Sequence, residues 1–249
     1  MPFKPLMRNA FAFAAIAGLA CSAANAATLT HEYDLDGTYA DTLGGPNLVA
    51  NGGTLTATHY NFGANQGLSL SNGVTANDYS IELNFSFATT SGYRKIVDFK
   101  NLTSDNGVYN LNTDLNFYNS AFGPSGAIAA NTPTDVIITR DGGTGLFVGY
   151  VNGVQQFSFT DSGLQGVFSS PASIAQFFID DTVTGGEASA GSVDYIRVFD
   201  GALTSGEALS LYQSGSPSAV PEPSQYAVLG FFILGVASLV LRKRRAVEA

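Results

Sequence analysis

The feature that most constrains the fold is a strict alternation of apolar and polar side chains over residues 79–88. Ile81, Leu83, Phe85 and Phe87 are each separated by one polar residue. A period of two places these four apolar groups on one face of a β-strand. The segment is therefore predicted to lie in an antiparallel sheet with one face on the core.

The rest of the central region is also typical of β structure. Asn152-Gly153 separates two β-forming runs at 146–151 and 154–160, and this dipeptide predicts a two-residue hairpin. Further strands are predicted at 135–140, 175–179 and 192–199, and weaker ones at 29–35, 54–61, 95–99, 107–111 and 115–118. So many short strands in one region predict an all-β antiparallel sandwich or jelly roll.

One short helix is predicted after the last strand. Thr204-Ser205-Gly206-Glu207 has the spacing of a capping box, in which the Thr and Glu side chains satisfy backbone N–H groups. The helix would continue over residues 208–213 and close the domain.

The N-terminal residues 1–26 have the pattern of a secretory signal peptide. Lys4 and Arg8 precede an apolar stretch at 10–20, and Ala24 and Ala26 form an A-x-A cleavage site. An N-terminal membrane anchor is disfavoured because a span needs roughly 20 apolar residues. The mature domain is predicted to cover residues 27–213.

The C-terminus carries a second targeting pattern. A linker at 214–224 precedes an apolar segment within 225–249, and a basic stop follows. The run at 226–241 has no polar face, which favours a transmembrane helix over a buried core helix, and the positive-inside rule keeps the stop in the cytoplasm. The stop consists of Arg242, Lys243, Arg244 and Arg245.

Two prolines precede this span and favour an extended, accessible segment. The segment consists of Val220, Pro221, Glu222, Pro223 and Ser224. Together with the span and the basic end, it resembles the PEP-CTERM sorting signal of exported proteins from Gram-negative bacteria that make exopolysaccharide. The resemblance implies processing by an exosortase. It also implies a transient inner-membrane precursor and final placement at the cell surface or in the extracellular matrix.

The domain between the two ends is strongly acidic. It holds 18 acidic residues against five basic ones, a net charge of −13, whereas the whole chain carries −9. Such a field disfavours nucleic acid and anionic lipid as partners. It leaves open simple solubility, calcium binding, or contact with a cationic or neutral polymer. The lone cysteine, Cys21, lies in the signal peptide, so the mature domain has no disulfide or thiol nucleophile.

Three segments of this domain resemble laminin G-like, concanavalin-type domains. They are the opening residues 33–37, the hairpin at 141–155, and the closing strand and helix start at 191–207. The resemblance implies a jelly-roll fold. It implies no particular activity, because this fold hosts lectins, glycosidases, adhesins and spacers.

Calcium is the cofactor that the sequence leaves open. Laminin G-like domains often bind calcium at a sheet rim, and calcium takes several oxygen ligands, often from loops. Two groups of acidic residues are candidate ligands: Asp34, Asp36 and Asp41, and Asp180, Asp181 and Glu187. Solvated acidic loops are the alternative interpretation.

No catalytic residues are predicted. His31 and His59 have no nucleophile signature beside them. Glycoside hydrolysis needs two neighbouring carboxylates, whereas Glu82 and Asp194 each stand alone on their strands. The sequence therefore predicts that the protein is not an enzyme.

A glycan-binding surface is predicted, with tyrosines as its aromatic platforms. The chain has no Trp, and Tyr60, Tyr93, Tyr118 and Tyr150 are the rings that could stack on sugars, although tyrosines in sheets often pack half-buried. The predicted function is an exported module that contacts glycan or a surface protein. A secreted glycan-processing enzyme and a ligand-free spacer remain as alternatives.

Overall fold

The computed structural model describes residues 27–215, which form fifteen strands and one helix. The strands are β1 (Thr28–Tyr33), β2 (Val49–Asn51), β3 (Thr54–Leu55), β4 (Tyr60–Phe62), β5 (Gly67–Leu70), β6 (Tyr79–Phe87), β7 (Tyr93–Asp98), β8 (Gly107–Leu111), β9 (Asp114–Phe117), β10 (Ala121–Phe122), β11 (Thr134–Arg140), β12 (Leu146–Val151), β13 (Val154–Thr160), β14 (Ala175–Phe177) and β15 (Gly191–Asp200). The helix is α1 (Ser205–Ser214).

The strands form two antiparallel sheets. The eight-stranded sheet runs β13-β12-β11-β6-β15-β4-β3, with β1 paired to β15, and the seven-stranded sheet runs β10-β9-β8-β7-β14-β5-β2. The predicted all-β sandwich of jelly-roll type with one short helix is therefore confirmed.

The main core lies between the two sheets. Ile81, Leu83, Phe85 and Phe87 of β6 are all buried there, as the alternation predicts. The opposite face of β6 departs from the expected pattern, because Ser80 and Glu82 are also buried. An alternating strand is therefore not always half-exposed.

A second, smaller core explains part of this burial. It lies on the outer face of the eight-stranded sheet, under α1 and the segment that precedes it. Its members are Ala27, Ile137, Val148, Tyr150, Phe199, Leu203, Ala208 and Leu211. Ser80 lies at its margin, where its hydroxyl donates to Gly201 O at 2.9 Å and accepts from Leu203 N at 2.9 Å.

The predicted capping box is confirmed. Thr204 Oγ1 accepts from Glu207 N at 3.3 Å, and Glu207 Oε2 accepts from Thr204 N at 2.7 Å. The helix ends at Gly215, whose φ of 57° lies in the left-handed region that favours glycine. Both ends of α1 are thus set by local sequence.

The segment 54–61 departs from the prediction of one strand. It forms the short strand β3, a turn, and the start of β4, and Thr56 N donates to His59 O at 2.8 Å across the turn. The strands β2, β5 and β10 were not predicted. They have three, four and two residues, which is too short for a periodic pattern to be read.

Several predictions fall outside the described residues. They are the signal peptide with Ala24 and Ala26, the motif at 220–224, the apolar run at 226–241 and the basic stop at 242–245. Within residues 27–215, no helix combines the length and apolar character needed to cross a membrane.

Candidate functional site

The outer face of the seven-stranded sheet carries three tyrosines that contact one another. Val108 of β8 faces the core, so its neighbour Tyr109 points to the other face. The ring centroids of Tyr93, Tyr109 and Tyr118 lie 5.4 to 6.1 Å apart, each pair edge to face. We call these three residues the tyrosine cluster. Tyr109 is buried, whereas Tyr93 and Tyr118 are partly exposed, so two rings present surface to a ligand.

Three carboxylates lie beside these rings. Asp105, Asp181 and Glu187 each place one oxygen within 4.8 Å of the others, and we call them the acidic cluster. Tyr109 Oη lies 3.2 Å from Asp181 Oδ2 and 3.3 Å from Asp105 Oδ1, so it is placed to donate to either oxygen. The tyrosine and acidic clusters are therefore joined through the buried Tyr109.

A buried lysine neutralises part of this charge. Lys95 is fully buried, and its Nζ donates to Asp181 Oδ2 at 2.7 Å. The same ammonium lies 3.8 Å from Asp98 Oδ2 and 4.2 Å from the Tyr109 ring centroid. A buried charge is stable only when paired, so Lys95 is the internal counter-ion of the site.

The carboxylates differ in how readily they ionise. Burial alone would raise the pKa of Asp181, but hydrogen bonds from Lys95 and from backbone N–H groups hold it below its ordinary value. Burial and the nearby charge of Asp105 raise the pKa of Glu187. Burial also raises the pKa of Asp98, and the nearby Lys95 charge opposes that shift. Hydrogen bonds from Lys95 and the backbone thus favour the ionised form of Asp181, whereas burial disfavours the ionised forms of Glu187 and Asp98.

The acidic cluster does not fit calcium. Asp181 already accepts from Lys95, Tyr109, Val183 N at 2.7 Å and Thr184 N at 3.1 Å. Calcium takes six to eight oxygen ligands, and an ammonium group bound to the central carboxylate opposes a second cation. The predicted ligand Asp180 is not in the cluster, and its Oδ2 instead accepts from Glu187 N at 2.8 Å.

The other predicted ligand group is not brought together. Among residues 27–215, Asp34, Asp36 and Asp41 do not form a set of oxygens within metal-binding range. The Asp41 carboxylate accepts from His31 Nδ1 at 2.6 Å and from Gly45 N at 2.8 Å. It also accepts from two further backbone N–H groups, those of Glu32 and Leu43. Asp41 thus fastens the loop after β1.

The two predicted histidines serve local structure. His31 pairs with Asp41, and His59 Nδ1 lies 3.0 Å from the Thr58 hydroxyl in the turn between β3 and β4. The predicted rings Tyr60 and Tyr150 are buried, in the main core and the smaller core respectively. Of the four candidate sugar platforms, Tyr93 and Tyr118 are therefore the accessible ones.

Sequence reasoning missed a carboxylate pair on the eight-stranded sheet. Glu82 of β6 does not stand alone, because Asp135 of β11 lies beside it and both are buried. Arg197 bonds Glu82 Oε2 at 3.3 Å and Glu32 Oε1 at 3.0 Å, and Tyr195 Oη donates to Asp135 Oδ2 at 2.9 Å. We call these five residues the buried ion network.

Two oxygens of the Glu82–Asp135 carboxylate pair have no hydrogen-bond donor. Glu82 Oε1 and Asp135 Oδ1 are buried without a donor, and two ionised carboxylates offer none. Burial and the charge of Asp135 raise the pKa of Glu82 to about 8. One proton held by the pair would supply the missing donor. Asp194 lies apart from the pair, exposed at a β-bulge in β15.

The sequence matches no family model and no curated protein. Solved structures do match the fold. Domain 4 of a GH43 extracellular arabinanase from Geobacillus stearothermophilus, in complex with arabinotriose, has a TM-score of 0.57 and 19% identity. The match covers 76% of this chain and 100% of that domain.

Two further matches belong to larger chains. The Trypanosoma rangeli sialidase, as a covalent intermediate with 2,3-difluorosialic acid, has a TM-score of 0.56 and 14% identity. That match covers 76% of this chain and 33% of the sialidase. The botulinum neurotoxin serotype D binding domain has a TM-score of 0.52 and 13% identity, covering 75% of this chain and 52% of that one. At these identities the similarities show the fold alone.

The prediction that the protein is not an enzyme is wrong. It depended on Glu82 lacking a carboxylate neighbour, whereas Asp135 lies beside it. The same fold also occurs in chains of an arabinanase and a sialidase. The fold assigns no reaction to this chain, and it gives no ground for excluding one.

Proposed function

We propose that this protein is an exported glycan-binding module whose ligand lies on the tyrosine and acidic clusters of the seven-stranded sheet. The observation that carries the proposal is that the partly exposed rings of Tyr93 and Tyr118 pack on Tyr109, whose hydroxyl lies beside the carboxylate of Asp105. Sugars present apolar faces that stack on rings, and hydroxyl groups that donate to carboxylates. The surface offers both kinds of contact side by side.

The comparison with known structures supports a glycan as the ligand. The arabinanase domain with this fold was solved in complex with arabinotriose, and this chain covers all of that domain. The strongly acidic domain favours a neutral or cationic glycan over an acidic one, because an acidic polymer would be repelled.

The proposal includes export and sorting. The signal-peptide pattern at 1–26 and the PEP-CTERM-like end support an inner-membrane precursor that an exosortase cleaves near Pro221 to Pro223. The domain would then act at the cell surface or in the extracellular polysaccharide.

Calorimetric titration with arabinotriose and with the host's exopolysaccharide tests the binding site. Tyr93→Ala and Tyr118→Ala should each weaken binding at least tenfold, because each removes a stacking face. Leu43→Ala is the control, since it removes an exposed apolar side chain in the loop after β1, outside both clusters. Unchanged affinity in both cluster variants, or no binding by the unaltered protein, would overturn the proposal. Shortened sugar recovered after titration would show glycan processing instead.

A second experiment tests sorting. Glu222→Ala combined with Pro223→Ala should retain the full-length chain in the membrane fraction of the native host. Intact mass of the protein from the membrane, surface and medium fractions gives the readout. Unchanged release of a shortened chain would refute the sorting role.

A further inference from the structure

In the part of the chain that the structure describes, one long sheet edge has no partner strand. The edge strands β3 and β10 have two residues each and β2 has three, so they offer few backbone groups for pairing. The strand β1 has six residues, but the following loop covers it: Glu32 N donates to Asp41 Oδ1 at 2.9 Å, and Thr42 N donates to Glu32 O at 2.8 Å. The strand β13 has seven residues and, among the strands of residues 27–215, pairs only with β12.

The composition of β13 does not protect this edge. Natural edge strands usually carry charged residues or proline, which block pairing with another chain. The sequence of β13, Val-Gln-Gln-Phe-Ser-Phe-Thr, has neither. Phe157 and Phe159 fasten the strand to the core. The edge is therefore held in place and uncharged within a domain that carries a net charge of −13.

Exposed apolar side chains border the edge on both sides. Val154 at its start is 60% exposed, and Leu209 and Tyr212 of α1 are 40% and 44% exposed. These two helix residues adjoin the turn at Gly153. A Cβ atom added to this glycine would lie 3.0 Å from Leu209 Cα and 3.3 Å from Tyr212 Cβ. On the other side, Phe122 of β10 is 60% exposed. The next residue, Gly123, lies against β13, because a Cβ atom added to it would lie 3.0 Å from Gln156 Cβ.

We propose that β13 pairs antiparallel with β13 of a second copy of this chain, which joins the two eight-stranded sheets into one. Antiparallel pairing of identical strands is self-complementary about a two-fold axis and closes at a dimer. Because β13 carries no charged residue, two acidic domains can meet there without repulsion between like charges at the contact. The apolar residues beside the edge would be covered by their counterparts.

This arrangement leaves the tyrosine and acidic clusters accessible in both copies, because they lie on the other sheet. If those clusters bind glycan as proposed above, a dimer would hold one polymer at two points and gain avidity. The pairing itself does not depend on that function.

The mass of the full chain in detergent, measured by light scattering, tests the proposal. The unaltered chain should be a dimer. Ser158→Lys places a charge at an exposed position of the open edge and should give a monomer. Val49→Lys is the matched control, because it places the same charge on the exposed short edge strand β2, and it should remain a dimer. Thermal unfolding verifies that both variants are folded.

Two results would overturn the proposal. One is a monomeric unaltered chain. The other is a Ser158→Lys variant that stays dimeric, which would assign the association to another surface, including the apolar segment at 226–241.

A distance measurement tests the geometry independently. A spin label at Ser158→Cys in a Cys21→Ser background should give an intermolecular distance below roughly 20 Å, because paired strands lie about 4.8 Å apart. A label at Asn51→Cys on β2 should give no such short distance. A short distance from both labels, or from neither, would contradict edge pairing.

Discussion

At the scale of single residues, the chain depends on a few buried charges that are held by ion pairs and hydrogen bonds. Lys95 is the clearest case, since its ammonium contacts Asp181 and lies near Asp98 without access to solvent. The sequence could not show this, because these residues lie up to 86 positions apart. Alternation indicates which face of a strand a side chain occupies, and only the sheet order shows what lies opposite.

Removal of the Lys95 charge should destabilise the fold strongly. Lys95→Met keeps the apolar stem and leaves Asp181 and Asp98 as buried carboxylates without a cation. Breaking a buried pair from one side costs about 3–5 kcal/mol. Urea unfolding should show a loss of this size in the free energy of unfolding.

The double variant Lys95→Met with Asp181→Leu provides the control. It removes both charges and should recover part of the loss, since the two effects are coupled. Equal stability of Lys95→Met and the unaltered protein would show that Lys95 does not neutralise the cluster.

The carboxylate pair should make stability fall as pH rises. The pKa of Glu82 is raised from 4.5 to about 8 in the folded protein, so between these values the folded state holds a proton that the unfolded chain has released. Unfolding then releases a proton, and each pH unit across this window lowers the free energy of unfolding by up to about 1.4 kcal/mol. Arg197, Glu32, Asp135 and Tyr195 are the charged and titratable groups that face Glu82.

Urea unfolding at a series of pH values from 5 to 9 measures this dependence. Asp135→Asn should flatten it, because the amide can donate to Glu82 and removes the neighbouring charge. A stability that rises over this range, or an unaltered slope in Asp135→Asn, would contradict a shared proton.

At the scale of elements, local signals predict well where they are self-contained. The hairpin strands at 146–151 and 154–160 and the capping box at Thr204 are confirmed, because each is specified by neighbouring residues. The strands β2 and β10 escaped prediction because their two or three residues are held in place by a partner strand rather than by a pattern.

The helix cap gives a prediction at this scale. Thr204→Ala removes the oxygen that accepts from Glu207 N, and loss of such a cap costs about 1 kcal/mol. Because α1 covers the smaller core, thermal unfolding of the whole domain should report the loss as a lowered Tm. Thr204→Ser should retain most of the stability, and Ser205→Ala, one position into the helix, should change little. Equal Tm values for Thr204→Ala and Ser205→Ala would show that the cap does not contribute.

At the scale of the whole molecule, the sandwich brings separate loops and strands to one surface. Asp105 follows β7, Asp181 and Glu187 follow β14, and Tyr109 lies on β8. The sequence indicated Asp181 and Glu187 as acidic candidates, but it could not indicate Asp105 or the lysine beneath them. Predicting that site required the order β8-β7-β14, which connects segments that are distant in the chain.

This assembled surface should not respond to calcium. A ligand present at 100 times its dissociation constant stabilises the folded state by about 2.7 kcal/mol, which would raise the Tm by several degrees. Because the Lys95 ammonium is already paired with the Asp181 carboxylate, we expect equal Tm values in millimolar calcium and in EDTA. Lys95→Met should gain calcium dependence, since it frees Asp181 beside Asp105 and Glu187. A calcium-induced rise in the unaltered protein that Glu187→Gln abolishes would show that the ammonium yields its place to the metal.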